Sequence, residues 1–405
     1  MKILILSDSY PPILGGIANH VQVLSTELSK RGHDVVIGTL SQLDLPKCEE
    51  KDGCKIYRLE GFFQKVPFLY KDPKRKIHAP AQDWLLTRKL AQLINQEKPD
   101  VVHSHGWILY SVPPVVKELK IPLVTTLHGY DFFCPRATLM KGNSICDHPL
   151  TKDCIPCISH THGPIRALAA YYGAKINKNK LKSVNRLIAV SLSVKEAYMK
   201  HLGLKDEDII VVPNFYEPDR NEGVNQDANL PDDFVLFVGW LMPHKGVDVL
   251  IDAYQKLDTP TKLVLVGIKH PDYNYKGSGN IVVIENAPRN IVMQAMSRCR
   301  FAIFPSVWPE PFGIVALEAM SCKKAVIASE IGGLKDIVVD GNTGILVPPD
   351  DPDSLARAIS YLLQNPKRGL EMGQSGYERW LKNYTSDAVI PEIIETYQAL
   401  VERKS

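Results

Sequence analysis

Residues 301–329 read FAIFPSVWPEPFGIVALEAMSCKKAVIAS. Phe301–Phe304 and Ala325–Ala328 are short apolar runs of strand type, and Phe312–Met320 between them reads as a helix. Strands with little alternation of polar and apolar residues are buried on both faces, as in parallel sheets covered by helices. The same theme runs outward in both directions. Phe234–Val238, Lys262–Val266, Ile281–Ile284 and Gly344–Val347 read as further strands, with helices at Val247–Leu257, Ile291–Arg298 and Pro352–Leu363. Toward the N-terminus, strands are expected at Lys2–Ser7, Asp34–Leu40, Val101–Ser104, Leu123–Thr126, Arg186–Val190 and Ile209–Val212. Helices are expected there at Ile17–Arg31, Asp83–Gln96 and Val194–His201. Two such series in one chain predict an α/β protein of two Rossmann-like domains facing across a cleft.

The length of 405 residues agrees with two domains, because a single core stops growing beyond roughly 250–300 residues. The boundaries expected are 1–213 for the first domain, 214–385 for the second, and 386–405 for a C-terminal helix that packs back on the first. The polar, turn-rich segment Glu217–Asp233 suits a linker or surface loop. Hydrophobic residues make up 45% of the chain and charged residues 23%. This is the composition of a soluble globular enzyme, not of a disordered, collagenous or coiled-coil chain. No run approaches the ~18 apolar residues of a membrane helix, and Met1–Ser7 is too short for a secretory signal. A reducing cytoplasm is therefore expected, where disulfides are rare. Residues 1–190 carry 26 Lys and Arg against 16 Asp and Glu, whereas residues 191–405 carry 22 against 29. The basic half suits an anionic partner.

Four places could carry chemistry. Glu310 and Glu318 lie eight residues apart, with Phe312-Gly313 between them at the expected start of a helix. On one helical path both acids would share a face, while the free N–H groups of the helix start would suit an anion. Gly15-Gly16 sits between the first strand and the first helix, where glycine lets backbone approach a ligand. His128 and Lys245 each follow a strand, at the end where parallel sheets bind ligands. Spacing alone leaves the plainer readings open: two surface glutamates, an ordinary turn, a structural histidine, a solvated lysine. The GxGxxG pattern of a hydride-transfer cofactor site is absent.

Taken in order, SDSYPPILGGIANHVQVLSTELSKRGHDV, LHGYD, VVPNF, FVGWLMPHKGVDVLIDAY and PEPFGIVALEAMSCKKAVIASEIGGLKDIVVDGNTGILVPPDDPDSLA resemble glycosyltransferase family four. These are retaining nucleotide-sugar glycosyltransferases with the GT-B architecture, and the likeness covers essentially the whole chain. It implies that Glu318 binds the ribose hydroxyls of the nucleotide and that Glu310 lies against hydroxyls of the donor sugar. The backbone amides of Gly313, Ile314 and Val315 would cradle the diphosphate, Phe312 would belong to the donor site, and Gly16 would approach the donor phosphate. His128 would sit near the sugar, and Lys245 would be the cation on the leaving diphosphate. The implied reaction moves a hexose-type sugar from a nucleotide diphosphate sugar to a glycan or lipid-linked acceptor. It retains anomeric configuration by front-side attack, with no catalytic metal and no cofactor required. One position departs from the family: Trp240 stands where an arginine usually follows the motif glycine. Indole offers one weak donor in place of a planar fork of donors. A catalytically reduced nucleotide-sugar-binding or scaffold protein therefore stays open, as does a sugar-nucleotide epimerase. Asp351-Pro352-Asp353 resembles a metal-binding DxD only in spelling and is expected to cap a helix.

Two features lie outside those motifs. An insert at about 130–163 carries Cys134, Cys146, Cys154 and Cys157, with His148, His160 and His162 nearby. Four thiolates in a loop-rich insert suit structural zinc. The irregular gaps leave free cysteines or a disulfide open. Basic stretches at Lys65–Lys76 and Lys175–Arg186 suit peripheral contact with an anionic membrane face or, equally, a solvated charged surface. Nucleic acid is disfavoured as a partner, since the cationic segments are short and no binding motif accompanies them.

Overall fold

The computed structural model describes residues 1–403 apart from 14, 43–44, 67–77, 143, 219–229, 271–272 and 274–278, and apart from the side chains of 161–162. Most of the basic stretch Lys65–Lys76, the centre of the Glu217–Asp233 segment and the His162 side chain thus lie outside the described residues. The chain divides into two compact units, Met1–Pro213 with Val389–Ser405, and Asn214–Ala388.

The first unit is built on an eight-stranded sheet. Its strands are β1 (Lys2–Ser7), β2 (Asp34–Leu40), β3 (Cys48–Lys51), β4 (Cys54–Leu59), β5 (Val101–His105) and β6 (Leu123–Leu127), then, beyond an insert, β9 (Arg186–Ala189) and β10 (Ile209–Val211). The insert holds a separate two-stranded pair, β7 (Met140–Lys141) and β8 (Ser144–Ile145), and the helices Cys154–His162 and Pro164–Asn177. The large sheet runs β10-β9-β6-β5-β1-β2-β4-β3 and is parallel except for the last pair. Ile3–Leu6 are fully buried, the state expected of a strand covered on both faces. The edge hairpin β3–β4 was not anticipated. Its turn is Asp52-Gly53, both at positive φ (52° and 75°), the pattern that a two-residue hairpin favours. Asp83 caps the helix Trp84–Glu97 by accepting from the N–H groups of Leu85 and Leu86. From Val389 onward, the C-terminal helix Ser386–Glu402 belongs with this unit. There Tyr397 is buried with its hydroxyl 2.6 Å from His103 Nδ1.

The second unit has a six-stranded sheet, all parallel: β11 (Phe234–Val238), β12 (Lys262–Gly267), β13 (Ile281–Glu285), β14 (Ala302–Phe304), β15 (Val326–Ser329) and β16 (Gly344–Val347). Its order is β13-β12-β11-β14-β15-β16. Alternate residues Val235, Phe237, Leu263, Leu265, Ile303 and Ile327 share a core with Leu250 and Tyr254 of the helix Val247–Gln255 and with Leu355 and Ile359 of the helix Pro352–Gln364. Each such side chain, fully buried, contributes about 1.5–3 kcal/mol. Asp351 accepts from the N–H groups of Asp353 and Ser354 with Pro352 in the first turn, so the DxD string serves as a helix cap.

The expected strands recur within one residue of their observed ends and the helices within two. One shift matters. The helix expected from Phe312 begins at Ile314, with Gly313 as its N-cap. Glu310 therefore lies ahead of the helix and not on a helical path shared with Glu318, and geometry other than helical periodicity places each acid.

Candidate active site

In the second unit the chain lays β12 and β13 on one side of β11, then crosses to place β14, β15 and β16 on the other. The strand order reverses between β11 and β14. A crevice at the carboxyl ends of the strands at such a reversal is the ligand site of open α/β sheets. The segments leaving those two strands are Gly239-Trp240 and Pro305-Ser306. Of these, Gly239, Trp240 and Ser306 border a cavity of about 170 Å3 that is also lined by Lys245, Glu310, Gly313, Ile314 and Val315.

Lys245 comes from the short turn Pro243–Lys245 that follows β11. Its ammonium forms an ion pair with the Glu310 carboxylate, both largely shielded from solvent. Ser306 Oγ donates to Glu310 Oε1 at 3.2 Å, and Lys245 Nζ lies 5.0 Å from the centre of the Trp308 ring. The backbone fixes the two loops together, since the N–H of Val307 donates to the His244 carbonyl at 3.0 Å. Glu310 is pinned from behind as well. Gly333 N–H donates to its carbonyl at 2.7 Å. Gly332 sits at φ +59°, where an added Cβ would come within 2.2 Å of the Glu310 carbonyl oxygen.

Gly313 turns the chain into the helix Ile314–Ser321 at φ +101°, and a Cβ there would press on Leu334 at 2.6 Å. Gly313, Ile314 and Val315, at the start of this helix, line the cavity. A helix leaves its first N–H groups without intrahelical partners, so this end presents donors and a positive dipole. Phe312 is buried, edge-on to Tyr384. Glu318 lies farther along the helix and is 6% exposed, with Oε1 2.8 Å from Arg289 Nη1. Arg289 Nη2 in turn donates to the Tyr216 hydroxyl at 3.1 Å. Trp240 lines the cavity but is 44% exposed, and Lys245 is the one cationic side chain among the described residues lining it.

Gly16 and His128 belong to the first unit. Gly16 opens the helix Gly16–Lys30, and a Cβ there would meet nothing within 4 Å, so packing does not demand glycine. His128 follows β6 and joins a group not foreseen from the sequence. Its Nε2 lies 2.9 Å from Nδ1 of His105, the last residue of β5, and its ring meets that of His20 edge-on at 4.9 Å between centres. The three rings offer nitrogens that all lie within 4.8 Å of one another. Burial pushes His20 down to about 4 and holds His105 and His128 well below the usual imidazole range. All three are neutral at pH 7, so none of them places a positive charge there. Nearby, Asp8 accepts from the N–H groups of Trp107 and Ile108, both at 2.7 Å. Burial nevertheless raises its carboxyl to about 7.

Sequence reasoning thus missed Ser306, Trp308 and Arg289 around the acids and His20 and His105 around His128. A signal existed for His105: it ends a buried strand at the edge where ligands bind. Arg289 had none, because it precedes Glu318 by 29 positions on another helix, Arg289–Arg298.

The family model described as Glycosyltransferase Family 4 matches residues 14–220, and the one described as Glycosyl transferases group 1 matches residues 220–379. An uncharacterized glycosyltransferase of Methanocaldococcus jannaschii is 30% identical over 411 residues, covering 99% of each chain. Among solved structures, sucrose-phosphate synthase from Thermosynechococcus elongatus aligns with a TM-score of 0.72 and 21% identity over 100% of both chains. Anabaena HepE in complex with UDP-glucose aligns with a TM-score of 0.65 and 18% identity over 98% of this chain and 100% of that one. The last two likenesses show the fold.

Proposed function

The chain belongs to the glycosyltransferases of family four, with the GT-B fold, and on that footing we propose that it transfers a hexose-type sugar, with retention, from a nucleotide diphosphate sugar to a glycan or lipid-linked acceptor. One observation carries this reading: an ion-paired Lys245 and Glu310 share a cavity with Gly313, Ile314 and Val315, where a helix begins at the strand reversal of the second sheet. Such a site offers donors and a cation to a diphosphate and a carboxylate to sugar hydroxyls.

In this mechanism the donor diphosphate settles on the helix amides and draws Lys245 from Glu310. The freed carboxylate then accepts from hydroxyls of the sugar, and Glu318, held by Arg289, accepts from the ribose. As the glycosidic bond stretches, positive charge develops on the sugar and negative charge on the leaving diphosphate. The amides, and Lys245 once it has been drawn from Glu310, face that negative charge and lower the barrier. Neutral His128 donates to a sugar hydroxyl, and Gly16 lets backbone approach the donor phosphate. Front-side attack by the acceptor gives retention with no covalent enzyme intermediate. Lys245 and the amides supply the charge stabilisation, so the proposed mechanism uses no catalytic metal.

A lipid-linked acceptor and contact with the cytoplasmic membrane face have support in the helix Pro164–Asn177. Ile165, Leu168, Tyr172 and Ile176 follow one another at three- and four-residue spacing and are all exposed, Ile165 and Ile176 by 73% and 75%. Exposed Lys175, Lys178 and Lys182 accompany them. An apolar stripe with cations beside it suits the headgroup boundary of an anionic bilayer. Lys180 does not contribute, because it donates inward to the Tyr110 carbonyl at 2.7 Å. Among the described residues no helix is long and apolar enough to cross a membrane.

The test is a thermal-shift panel of nucleotide diphosphates and their sugars, followed by release of the nucleotide diphosphate from the best donor. Stabilisation by a donor together with acceptor-dependent release supports transfer. Trp240 favours a second reading, a donor-binding protein with reduced catalysis. That reading predicts calorimetric donor binding with no turnover over a broad acceptor set.

A further inference from the structure

In the insert between β6 and β9 the helix Cys154–His162 packs through Ile158 on Ala167 and Tyr171, but the hairpin ahead of it is minimal. Strands β7 and β8 have two residues each, and so short a hairpin is not stable in water by itself. Ala137, Leu139 and Leu150 sit at positive φ of 61°, 54° and 63°. Non-glycine residues keep such conformations only where their surroundings over-determine them. Yet the four cysteines of this segment converge from three elements. Cys134 closes a turn by donating its N–H to the Tyr130 carbonyl at 2.7 Å, and Cys146 leaves β8 with its N–H on the Leu139 carbonyl at 2.8 Å. Cys154 and Cys157 lie one turn apart on the helix Cys154–His162. All four line one cavity of about 440 Å3, and none is in a disulfide.

One cation lies beside these sulfurs. Arg136 Nη1 reaches the Cys157 sulfur at 3.7 Å. A guanidinium beside a sulfur offsets part of the charge that a coordinated thiolate carries and helps to orient it, as outer-shell partners do for metal ligands.

We propose that Cys134, Cys146, Cys154 and Cys157 bind one structural zinc ion that clamps this insert. Four soft thiolates without an open position suit tetrahedral zinc. Binding replaces four S–H bonds by four Zn–S bonds and releases four protons to solvent, with no change of oxidation state. Arg136, at the cavity wall beside Cys157, offsets part of the remaining negative charge. Three donor atoms within 4.8 Å of one another occur among the described residues at His20, His105 and His128, not at the sulfurs. Closing four Zn–S bonds of about 2.3 Å therefore draws the hairpin toward the helix start. The histidine group is the weaker candidate, because His105 and His128 already hydrogen-bond each other. The zinc site is independent of the transfer reaction proposed above, and its readout is metal, not turnover.

The full chain, purified without a metal-binding tag under reducing conditions, is expected to carry about one zinc per chain by elemental analysis. A mercurial reagent should release that zinc as it titrates the thiols. Cobalt put in its place should show a thiolate-to-cobalt charge-transfer band and tetrahedral d–d bands. Cys154→Ser and Cys157→Ser should lose the metal, whereas Cys48→Ser, at an exposed thiol outside the insert, should keep it. Should a variant fail to fold, chelation of the wild-type chain decides: loss of zinc should lower its melting temperature and make residues 134–158 protease-sensitive. Any of four findings overturns the proposal: no stoichiometric metal with four freely titrating thiols; a mass two hydrogens short, reporting a disulfide; iron with sulfide; or zinc retained in the cysteine variants.

Discussion

Lys245→Met removes a cation whose ammonium pairs with Glu310 and whose side chain is 20% exposed, against 11% for that of Glu310. Fully buried pairs cost about 3–5 kcal/mol to break and exposed ones about 0–1. With Ser306 still donating to Glu310, the loss here should fall between, at about 2 kcal/mol. For a unit of this size that is a fall of about 4–8 °C in melting temperature. Catalysis should suffer separately. Removing one group that stabilises developing negative charge costs about 2.7–4 kcal/mol, or about 100–1,000-fold in kcat. The double variant Lys245→Met with Glu310→Gln separates the two effects. Neutralising the stranded carboxylate should restore most of the stability and none of the activity. Chemical denaturation reads the first, and initial rates of nucleotide diphosphate release at saturating donor read the second. The assignment of Lys245 to the leaving group would be refuted by a single variant with kcat within about threefold of wild type. A double variant that regained activity together with stability would refute it equally.

Gly313→Ala forces a Cβ to φ +101° and against Leu334. It should destabilise the second unit by about 1–3 kcal/mol and weaken donor stabilisation in thermal shift, and unchanged donor binding would remove Gly313 from the site. Stability should also fall as the pH drops from about 6.5 toward 4, because burial lowers His78 to about 4 and His103 to about 3. The unfolded chain then takes up protons that the folded one refuses, at about 1.4 kcal/mol per pH unit for each group. Asp8, raised to about 7, acts in the opposite sense between about 3.8 and 7. The clean measurement is therefore urea unfolding of wild type and His78→Gln at each pH, where the variant should show a shallower fall on acidification and an identical slope would contradict it. Ile165→Ser with Ile176→Ser should reduce co-sedimentation with vesicles rich in anionic lipid and leave binding of a soluble donor unchanged, whereas equal sedimentation would argue against the stripe as a membrane contact.

Much of the secondary structure was legible because its signals are local. KILILS and FVLFV declare strands by being apolar throughout, and Asp83 and Asp351 mark helix starts by their side-chain chemistry. Asp52-Gly53 carried an equally local signal for the edge hairpin, and it was overlooked. The start of the helix after Glu310 was misjudged, because an apolar Phe312 suits the helix pattern while the positive φ at Gly313 ends the possibility of continuing it backward. Resemblance pointed to Glu310, Glu318, Lys245 and His128 as individuals. It said nothing of their supports.

By itself the sequence determined the alternation of strand and helix, hence the parallel sheets, since side-chain periodicity and burial are properties of neighbouring residues. Only the tertiary structure decided that Lys245 is paired with Glu310, that Arg289 holds Glu318, and that three histidines from the ends of two neighbouring strands and from a helix meet in one group. Those contacts depend on strand order and on where chain segments separated by tens of residues are brought side by side. Local pattern does not encode that order, because a strand is equally apolar whichever strand it pairs with.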